Sequence, residues 1–311
     1  LEYEKDFTAD PTWQNTSTGR QFRYGSLDAD TPGAYVGRYP NSENVKDCYL
    51  TGLPGTQLSG IRFMDYEENI YFGYKYYETF WHEIAEGNTS LAAKSLSAEQ
   101  RQAIADKWHH DNVVYPFGFG KSYTDFSFTM KGVYLDKAGK TLLTSGNVFA
   151  EGENQVKKIY AQVEVQNTGL VDGKKTVQLY ETAPYTAGQI EKAYVKLVGF
   201  AKTGILKPGE RQTVTIEVDV QDLASFDDFG KNNTSTDTHK GWELDAGEYT
   251  LKAMGSSSEL RSKETNDDPA LDEYDEYKFT ITDRVNLDHD LVSGGESKPL
   301  FSDPNELDYM F

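Results

Sequence analysis

Three acids, Asp65, Glu67 and Glu68, stand immediately ahead of an aromatic run within DYEENIYFGYKYYETF, Asp65 to Phe80. Carboxyl groups in pairs can cleave a glycosidic bond, one protonating the leaving oxygen while the other attacks or activates water. The acid of such a pair has to be kept protonated by its surroundings. Glu68 is the candidate catalytic carboxyl of the three; its competing reading is a cap or an ion pair at the start of a buried element. The chain has 50 acids and a formal charge of −19, so most carboxylates belong to a solvated surface and only position promotes one. Nearer the N-terminus, Trp13, Arg20, Arg23 and Tyr24 are residue types that stack on sugar rings and hydrogen-bond to hydroxyls. Trp13 and Tyr24 can equally anchor a loop to the domain beneath. Tyr71, Tyr74, Tyr76 and Tyr77 pose the same choice between stacking on a sugar and packing in a core.

Other chemistries find little support. His82-Glu83 lacks a second histidine four residues on, and the neighbouring side chains of His109-His110-Asp111 diverge, so loop or helix-end roles are expected. Asn286, Asp288 and Asp290 have the first spacings of a calcium loop, but Leu291 stands where glycine is required and Ser297 where the bidentate glutamate belongs. No metal is expected. The lone Cys48 excludes an internal disulfide and a cysteine-ligated zinc cluster, and reads as a small buried hydrophobe. No Ser-His-Asp arrangement and no glycine-rich phosphate loop is found, and no cofactor is implied. Sequons at Asn15, Asn88, Asn232 and Asn233 carry meaning only in a eukaryotic secretory setting.

The elements that would position these groups read as follows. The β-branched and aromatic content of Asp65 to Phe80 predicts a strand buried on both faces, with Gly73 marking a bulge or a close backbone approach. Pro116-Phe117-Gly118-Phe119-Gly120 predicts a turn at a domain junction, its glycines free to take positive φ. Residues 1 to about 60, punctuated by Pro11, Pro32, Pro40 and Pro54, read as long loops with short extended pieces. Ser97 and Gln100 form a capping box for a helix over 97–108. Beyond Tyr123 the pattern alternates with period two at Ile159, Ala161, Val163 and Val165, at Val177 and Leu179, and at Val214, Ile216 and Val218. Further strands are expected at 194–200, 248–254 and 277–282, about seven antiparallel strands in all, which makes a β-sandwich. The polar stretch 226–242 is expected to project from one end. The expected fold is mainly β: residues 1–122 in an α/β segment with long loops, 123–285 in the sandwich, and 286–311 an acidic linker or the start of a further domain.

Length and composition fit this division. With 311 residues and 37% hydrophobic content the chain can build two modest cores. Its acidity disfavours nucleic acid and anionic membranes as partners. No apolar run is long enough to span a membrane, and LEYEKDFTADPTW lacks the regions of a signal peptide. A soluble chain is expected, in the cytoplasm or secreted, and a homo-oligomer is compatible with this.

ENIYFGYKYY (Glu68 to Tyr77) resembles the EGIYVGYRYY pattern of the second domain of glycoside hydrolase family three, and YPFGFGKSYTDF resembles that family's YPFGFGLSYTTF. Asn69 and Lys75 depart from the family's glycine and arginine. Val163 to Pro184, Val195 to Val218 and Gly241 to Ser258 resemble its fibronectin type III-like, immunoglobulin-like domain. The resemblance covers roughly residues 45 to 285 and implies a retaining β-glycosidase, most simply a β-glucosidase acting on short β-linked glucosides or oligosaccharides. In that family the nucleophile is an aspartate in a Ser-Asp-Trp-like segment of a (β/α) barrel, and no Ser-Asp-Trp occurs here. The resemblance therefore implies a fragment whose partner is a missing barrel domain, with residues 1 to 60 near the mouth of the active site. A reading of another class stands beside it: a noncatalytic β-sandwich module that binds carbohydrate or a protein partner through Trp13, Tyr24 and the 226–242 insert. An inert module governing oligomerisation shares the same fold.

Overall fold

The computed structural model describes residues 70–227, 230–236, 238–259, 274–291 and 293–295, together with the backbone of two short strands at 45–47 and 62–64. In chain order the elements are β1 (Val45–Asp47), β2 (Arg62–Met64), α1 (Tyr74–Ala85), α2 (Ala98–Asn112), β3 (Phe126–Tyr134), β4 (Lys158–Asn167), β5 (Thr176–Thr182), β6 (Lys196–Lys202), β7 (Arg211–Asp219), β8 (Ser225–Asp227), β9 (Gly241–Leu244), β10 (Gly247–Met254), β11 (Tyr274–Ile281) and β12 (Val285–Leu287). β1 and β2 pair antiparallel.

From Tyr74 onward the aromatic run is a helix, not the strand its composition suggests. Within α1 the buried large side chains are Tyr76, Tyr77, Phe80, Trp81 and Ile84, steps of one, three, one and three that place them on one helical face. β-branched and aromatic enrichment describes a half-buried surface and does not by itself distinguish strand from helix; the spacing does. Gly73 is the residue before the helix, at φ 56, so its freedom serves a helix start and not a bulge. α2 begins as its sequence dictates: Gln100 N–H donates to Ser97 Oγ at 3.3 Å and Ser97 N–H to Gln100 Oε1 at 3.0 Å, a reciprocal cap worth about 1 kcal/mol. The helix runs a turn beyond the expected end, to Asn112. Phe80 packs on Trp108 with ring centroids 4.7 Å apart, Trp81 Nε1 donates to Asp106 at 3.0 Å, and Arg101 Nε donates to the Ala85 carbonyl at the end of α1 at 2.8 Å. These contacts close the helix pair.

From Phe126 onward the chain is antiparallel β. One sheet has the order β11-β10-β5-β6, the facing sheet β3-β4-β7, and a third, smaller sheet β12-β9-β8. The period-two positions face inward: Ile159, Ala161, Val163 and Val165 on β4, Ile216 and Val218 on β7, Leu179 on β5 and Leu251 on β10 all lie in one core. Gly199 on β6 lets the sheets approach, since a Cβ there would lie 2.6 Å from Ile216 Cγ2. Asn167 at the end of β4 is fully buried and uses its whole side chain. Its Nδ2 donates to the carbonyls of Val171 and Leu206, both at 2.8 Å, while its Oδ1 accepts from Thr124 Oγ1 at 2.7 Å and from Gly169 N–H at 3.0 Å. The expected turns at 167–169 and 208–209 are both present, and Gly209 takes φ 78.

The 226–242 stretch does not simply project. Its ends pair as β8 and β9, and its described interior folds back: Asn232 Nδ2 donates to Glu243 Oε1 at 2.5 Å and Asp245 Oδ1 at 2.6 Å, and Asn232 N–H donates to Asp227 Oδ2 at 3.0 Å. The first spacings of a calcium loop lead only into β12 and a turn, where Asp290 Oδ1 accepts from Ser293 N–H and its Oδ2 from Gln221 Nε2. Among the described residues no three His, Cys, Asp or Glu groups converge to hold a metal.

Candidate functional site

The candidate catalytic carboxyl Glu68, its neighbours Asp65 and Glu67, and the candidate sugar contacts Trp13, Arg20, Arg23 and Tyr24 all lie outside the described residues, as does Cys48. What the structure does describe is the anchorage directly after Glu68, from Ile70 through α1 to the Pro116 turn. Besides its packing on α2, this segment is tied to the sandwich by polar contacts.

Tyr71 is buried, and its hydroxyl donates to Glu191 Oε2 at 2.6 Å with the Lys192 carbonyl 3.2 Å away. Leu197 N–H donates to Tyr74 Oη at 3.0 Å and Tyr194 N–H to Thr79 Oγ1 at 2.8 Å, so α1 supplies acceptors to backbone donors around β6. The turn is fixed from the other side. Ser257 N–H donates to the Phe117 carbonyl at 2.8 Å, and Gln178 Nε2 donates to the carbonyls of Gly118 at 2.9 Å and Gly255 at 2.8 Å. Gly118 adopts φ 78, and a Cβ there would stand 2.0 Å from Gln178 Oε1; Gly120 does not use its freedom. Phe117 stacks on Tyr74 with centroids 4.6 Å apart.

Tyr194 is the aromatic centre of this junction. The His82 ring lies parallel to it at 4.0 Å, Lys252 Nζ stands 4.2 Å from its centroid, and its hydroxyl donates to Glu259 Oε1 at 3.1 Å. Burial pushes the Tyr194 phenol up, and the Glu259 carboxylate adds to the shift. Tyr180 is raised chiefly by burial too. Lys75 Nζ stands 4.9 Å from the Phe72 ring centroid; partial burial lowers this ammonium, and the Lys196 charge lowers it further.

Each described carboxylate that is buried has a structural partner. Glu78 accepts from Ser257 Oγ at 3.0 Å and meets His109 Nε2 at 3.2 Å, tying α1, α2 and the sandwich together. This Ser, Glu and His are not a nucleophilic triad, because the serine bonds the carboxylate and not the imidazole that would have to take its proton. Glu83 accepts from Asn88 Nδ2 at 3.0 Å, Glu181 meets Lys196 Nζ at 3.0 Å, and Glu243 meets Asn232 and Arg284. The arrangement holds elements together. Tyr76 and Tyr77 pack in the helix-pair core, and Tyr71 and Tyr74 bond the sandwich, so the tyrosines take the packing role. Of the loop or helix-end role expected for His109, the structure shows the helix end, in the last turn of α2, but its pairing with Glu78 was missed. Once the run is read with helical spacing, Glu78 falls one turn from Tyr74 on the inward face, and that was the available signal.

Residues 175–258 match the fibronectin type III-like domain family. The chain is 35% identical over 223 residues to β-glucosidase A of Butyrivibrio fibrisolvens, which covers 71% of this chain and 21% of that protein. It is 34% identical over 214 residues to a β-glucosidase of Ruminococcus albus, covering 68% of this chain and 17% of that one. Among solved structures it is similar to β-glucosidase 3B of Thermotoga neapolitana, with TM-score 0.41 and 25% identity over 72% of this chain and 21% of the other. The chain thus spans about a fifth of the length of the curated relatives it matches. It carries a fibronectin type III-like domain and is a homologue of β-glucosidases over the 68–71% of its length that these two relatives match.

Proposed function

We propose that this chain is part of a retaining β-glycosidase of the β-glucosidase type, which removes terminal β-D-glucosyl residues from short glucosides. In this reading the chain supplies scaffold and subsite loops, and the nucleophile resides in a barrel domain outside it. The observation that carries the reading is the 35% identity to a β-glucosidase across 71% of the chain. The anchorage of α1 agrees with it. Partly buried hydrogen bonds join Tyr71, Tyr74 and Thr79, which follow Glu68 in the chain, to the sandwich. A segment that carries a reacting group needs such support, because a displacement of about 1 Å at the reacting atoms costs on the order of a hundredfold in rate.

In the proposed intact enzyme, one carboxylate attacks the anomeric carbon as a carboxylic acid protonates the leaving oxygen. The resulting glycosyl-enzyme is then hydrolysed by water, which the second residue, now a base, deprotonates. Glu68 is the carboxyl of this chain proposed to reach the sugar site, and Trp13, Arg20, Arg23 and Tyr24 are proposed sugar contacts.

Release of nitrophenol from a nitrophenyl β-glucoside tests the reading, measured for this chain alone and for the chain mixed with a separately produced barrel domain. Hydrolysis that appears only on mixing supports it. Hydrolysis by the chain alone overturns the fragment reading; silence in both, with sugar binding by the chain detected calorimetrically, replaces it with the noncatalytic module.

A further inference from the structure

At one end of the sandwich two loops carry apolar side chains outward. Leu170 and Val171, after β4, are 92% and 47% exposed, and Ile205, after β6, is 62% exposed. Exposed apolar residues scattered singly need no account, but these stand together. The carbonyls of Val171 and Leu206 accept from one nitrogen, Asn167 Nδ2, and Gly173 and Leu206 exchange backbone hydrogen bonds at 3.0 and 2.8 Å. Thr168 and Gly169 N–H both donate to the Asp125 carbonyl, and Thr203 N–H donates to the Lys175 carbonyl at 2.9 Å. The buried Asn167 thus holds both tips in place, so a segment that lands there has little loop entropy to remove.

The charge around these tips is opposite to that of the chain. In 168–175 and 202–207 the charged residues are Lys174, Lys175, Lys202 and Lys207 against Asp172, in a chain of net charge −19. Lys174, Lys202 and Lys207 are exposed, and none of the three has a carboxylate partner among the described residues. An apolar patch with a cationic rim fits a segment that combines apolar side chains with carboxylates. Residues 305–311, NELDYMF, are such a segment: Leu307, Tyr309, Met310 and Phe311 stand with Glu306 and Asp308, and no base interrupts them. We propose that 305–311 docks on Leu170, Val171 and Ile205 of the same chain, its two carboxylates meeting lysines of the rim. A second copy presenting the same patch would set lysine against lysine.

The tether is long enough. Gly295 lies beyond the far end of β7: its carbonyl accepts from Asp290 N–H at 2.8 Å, and Asp290 and Leu291 are both bonded to Gln221, which follows β7. The patch borders the start of the same strand, where Gln212 Oε1 accepts from Gly204 N–H at 2.9 Å. β7 has 9 residues and spans about 30 Å at about 3.3 Å per residue. Residues 296–304, when extended, cover about the same distance and deliver 305–311 to the loops.

Carbodiimide joins an amine to a carboxylate in contact with it and leaves no spacer, so it tests this on the full chain, with the linked pairs read by mass spectrometry. The Lys278–Glu248 ion pair at 3.2 Å is the internal control. Links from Lys174, Lys202 or Lys207 to Glu306 or Asp308 are expected, within one chain. Leu170→Ser combined with Ile205→Ser, both at exposed positions, should lower their yield about fivefold or more relative to the control, because the apolar area that 305–311 would cover is removed. Mixing isotopically light and heavy chains separates links within a chain from links between chains. Links that join light to heavy place a second copy on the patch and overturn the proposal. So do control links without any to Glu306 or Asp308, rim lysines linked instead to carboxylates of another segment, and a yield that the double substitution leaves unchanged.

Discussion

Removing the imidazole of His109 should strand a buried carboxylate and open the helix pair. Glu78 is 2% exposed, and its described polar contacts are His109 Nε2 at 3.2 Å and Ser257 Oγ at 3.0 Å. Removing one hydrogen-bond partner of a buried carboxylate costs about 1.5–3 kcal/mol, because the acceptor is left short of a donor in a low dielectric. At about 1.4 kcal/mol per decade this is roughly one to two orders of magnitude in the opening equilibrium of α1. Ser257→Ala removes one hydrogen bond to the same carboxylate and should cost about 1.5–3 kcal/mol. The appropriate assay is segment-resolved hydrogen exchange of the amides of α1, because helix pair and sandwich have separate cores and one global denaturation midpoint would average them. The neighbouring His110, with a side chain 56% exposed, supplies the control: His110→Ala should change α1 protection by less than about threefold. If His109→Ala behaves like His110→Ala, Glu78 is not held by the imidazole and the account of the junction fails.

Further expectations concern the sandwich. Ile216→Ala empties a fully buried position between the sheets and should lower stability by about 2–5 kcal/mol, visible as a lower urea midpoint at an unchanged slope. Gly199→Ala places a methyl 2.6 Å from Ile216 Cγ2 and should cost about 1–3 kcal/mol; the double change with Ile216→Val should cost less than the sum of the two, which a double-mutant cycle measures. Burial raises the Glu181 carboxyl above its ordinary 4.5, although Lys196 opposes the shift. The folded chain therefore binds this proton more tightly than the unfolded one, and the group's contribution to stability is lost as pH rises from 4.5 through the folded value. Glu181→Gln should show a smaller loss of stability over that interval than the unaltered chain; an equal slope in denaturation series across pH would refute it. Gly118→Ala forces a side chain into a backbone at φ 78 against Gln178, and should loosen the turn enough to raise proteolysis within 113–121.

The sandwich was legible because its strands alternate, and alternation has one structural meaning when turns interrupt it at regular intervals. Ile159, Ala161, Val163 and Val165 could face only one way, and they do. The helix pair was half legible. Ser97 and Gln100 announce α2 through local hydrogen bonds, which sequence alone encodes, whereas α1 was misread because its aromatic content outweighed its spacing. The place of the junction was marked by the Pro116–Gly120 turn, but its contacts were not legible. Tyr74, Thr79 and Glu78 find partners 123, 115 and 179 residues away, and no local pattern specifies which donor will meet them. The compactness of the 226–242 insert escaped for the same reason, since the fold-back of Asn232 onto Glu243 and Asp245 is a property of the assembled hairpin.

Those separations also set the order in which the molecule can be completed. The helix pair forms from neighbouring sequence, within residues 70 to 113, and belongs to the early events of folding. The residues that finish it, Tyr194, Leu197 and Ser257, are made much later. At a synthesis rate of about 5–20 residues per second, the 179 residues between Glu78 and Ser257 take roughly 9–36 seconds to appear. Until residues 191–197 follow, 120 and 123 residues after Tyr71 and Tyr74, the faces of Tyr71, Tyr74 and Trp81 that later meet the sandwich stay open to water and to other chains. A segment that gains structure from its own neighbourhood thus waits for distant sequence to be sealed, and a nascent chain stalled before Glu191 presents an aromatic surface that a chaperone, or another copy, can occupy.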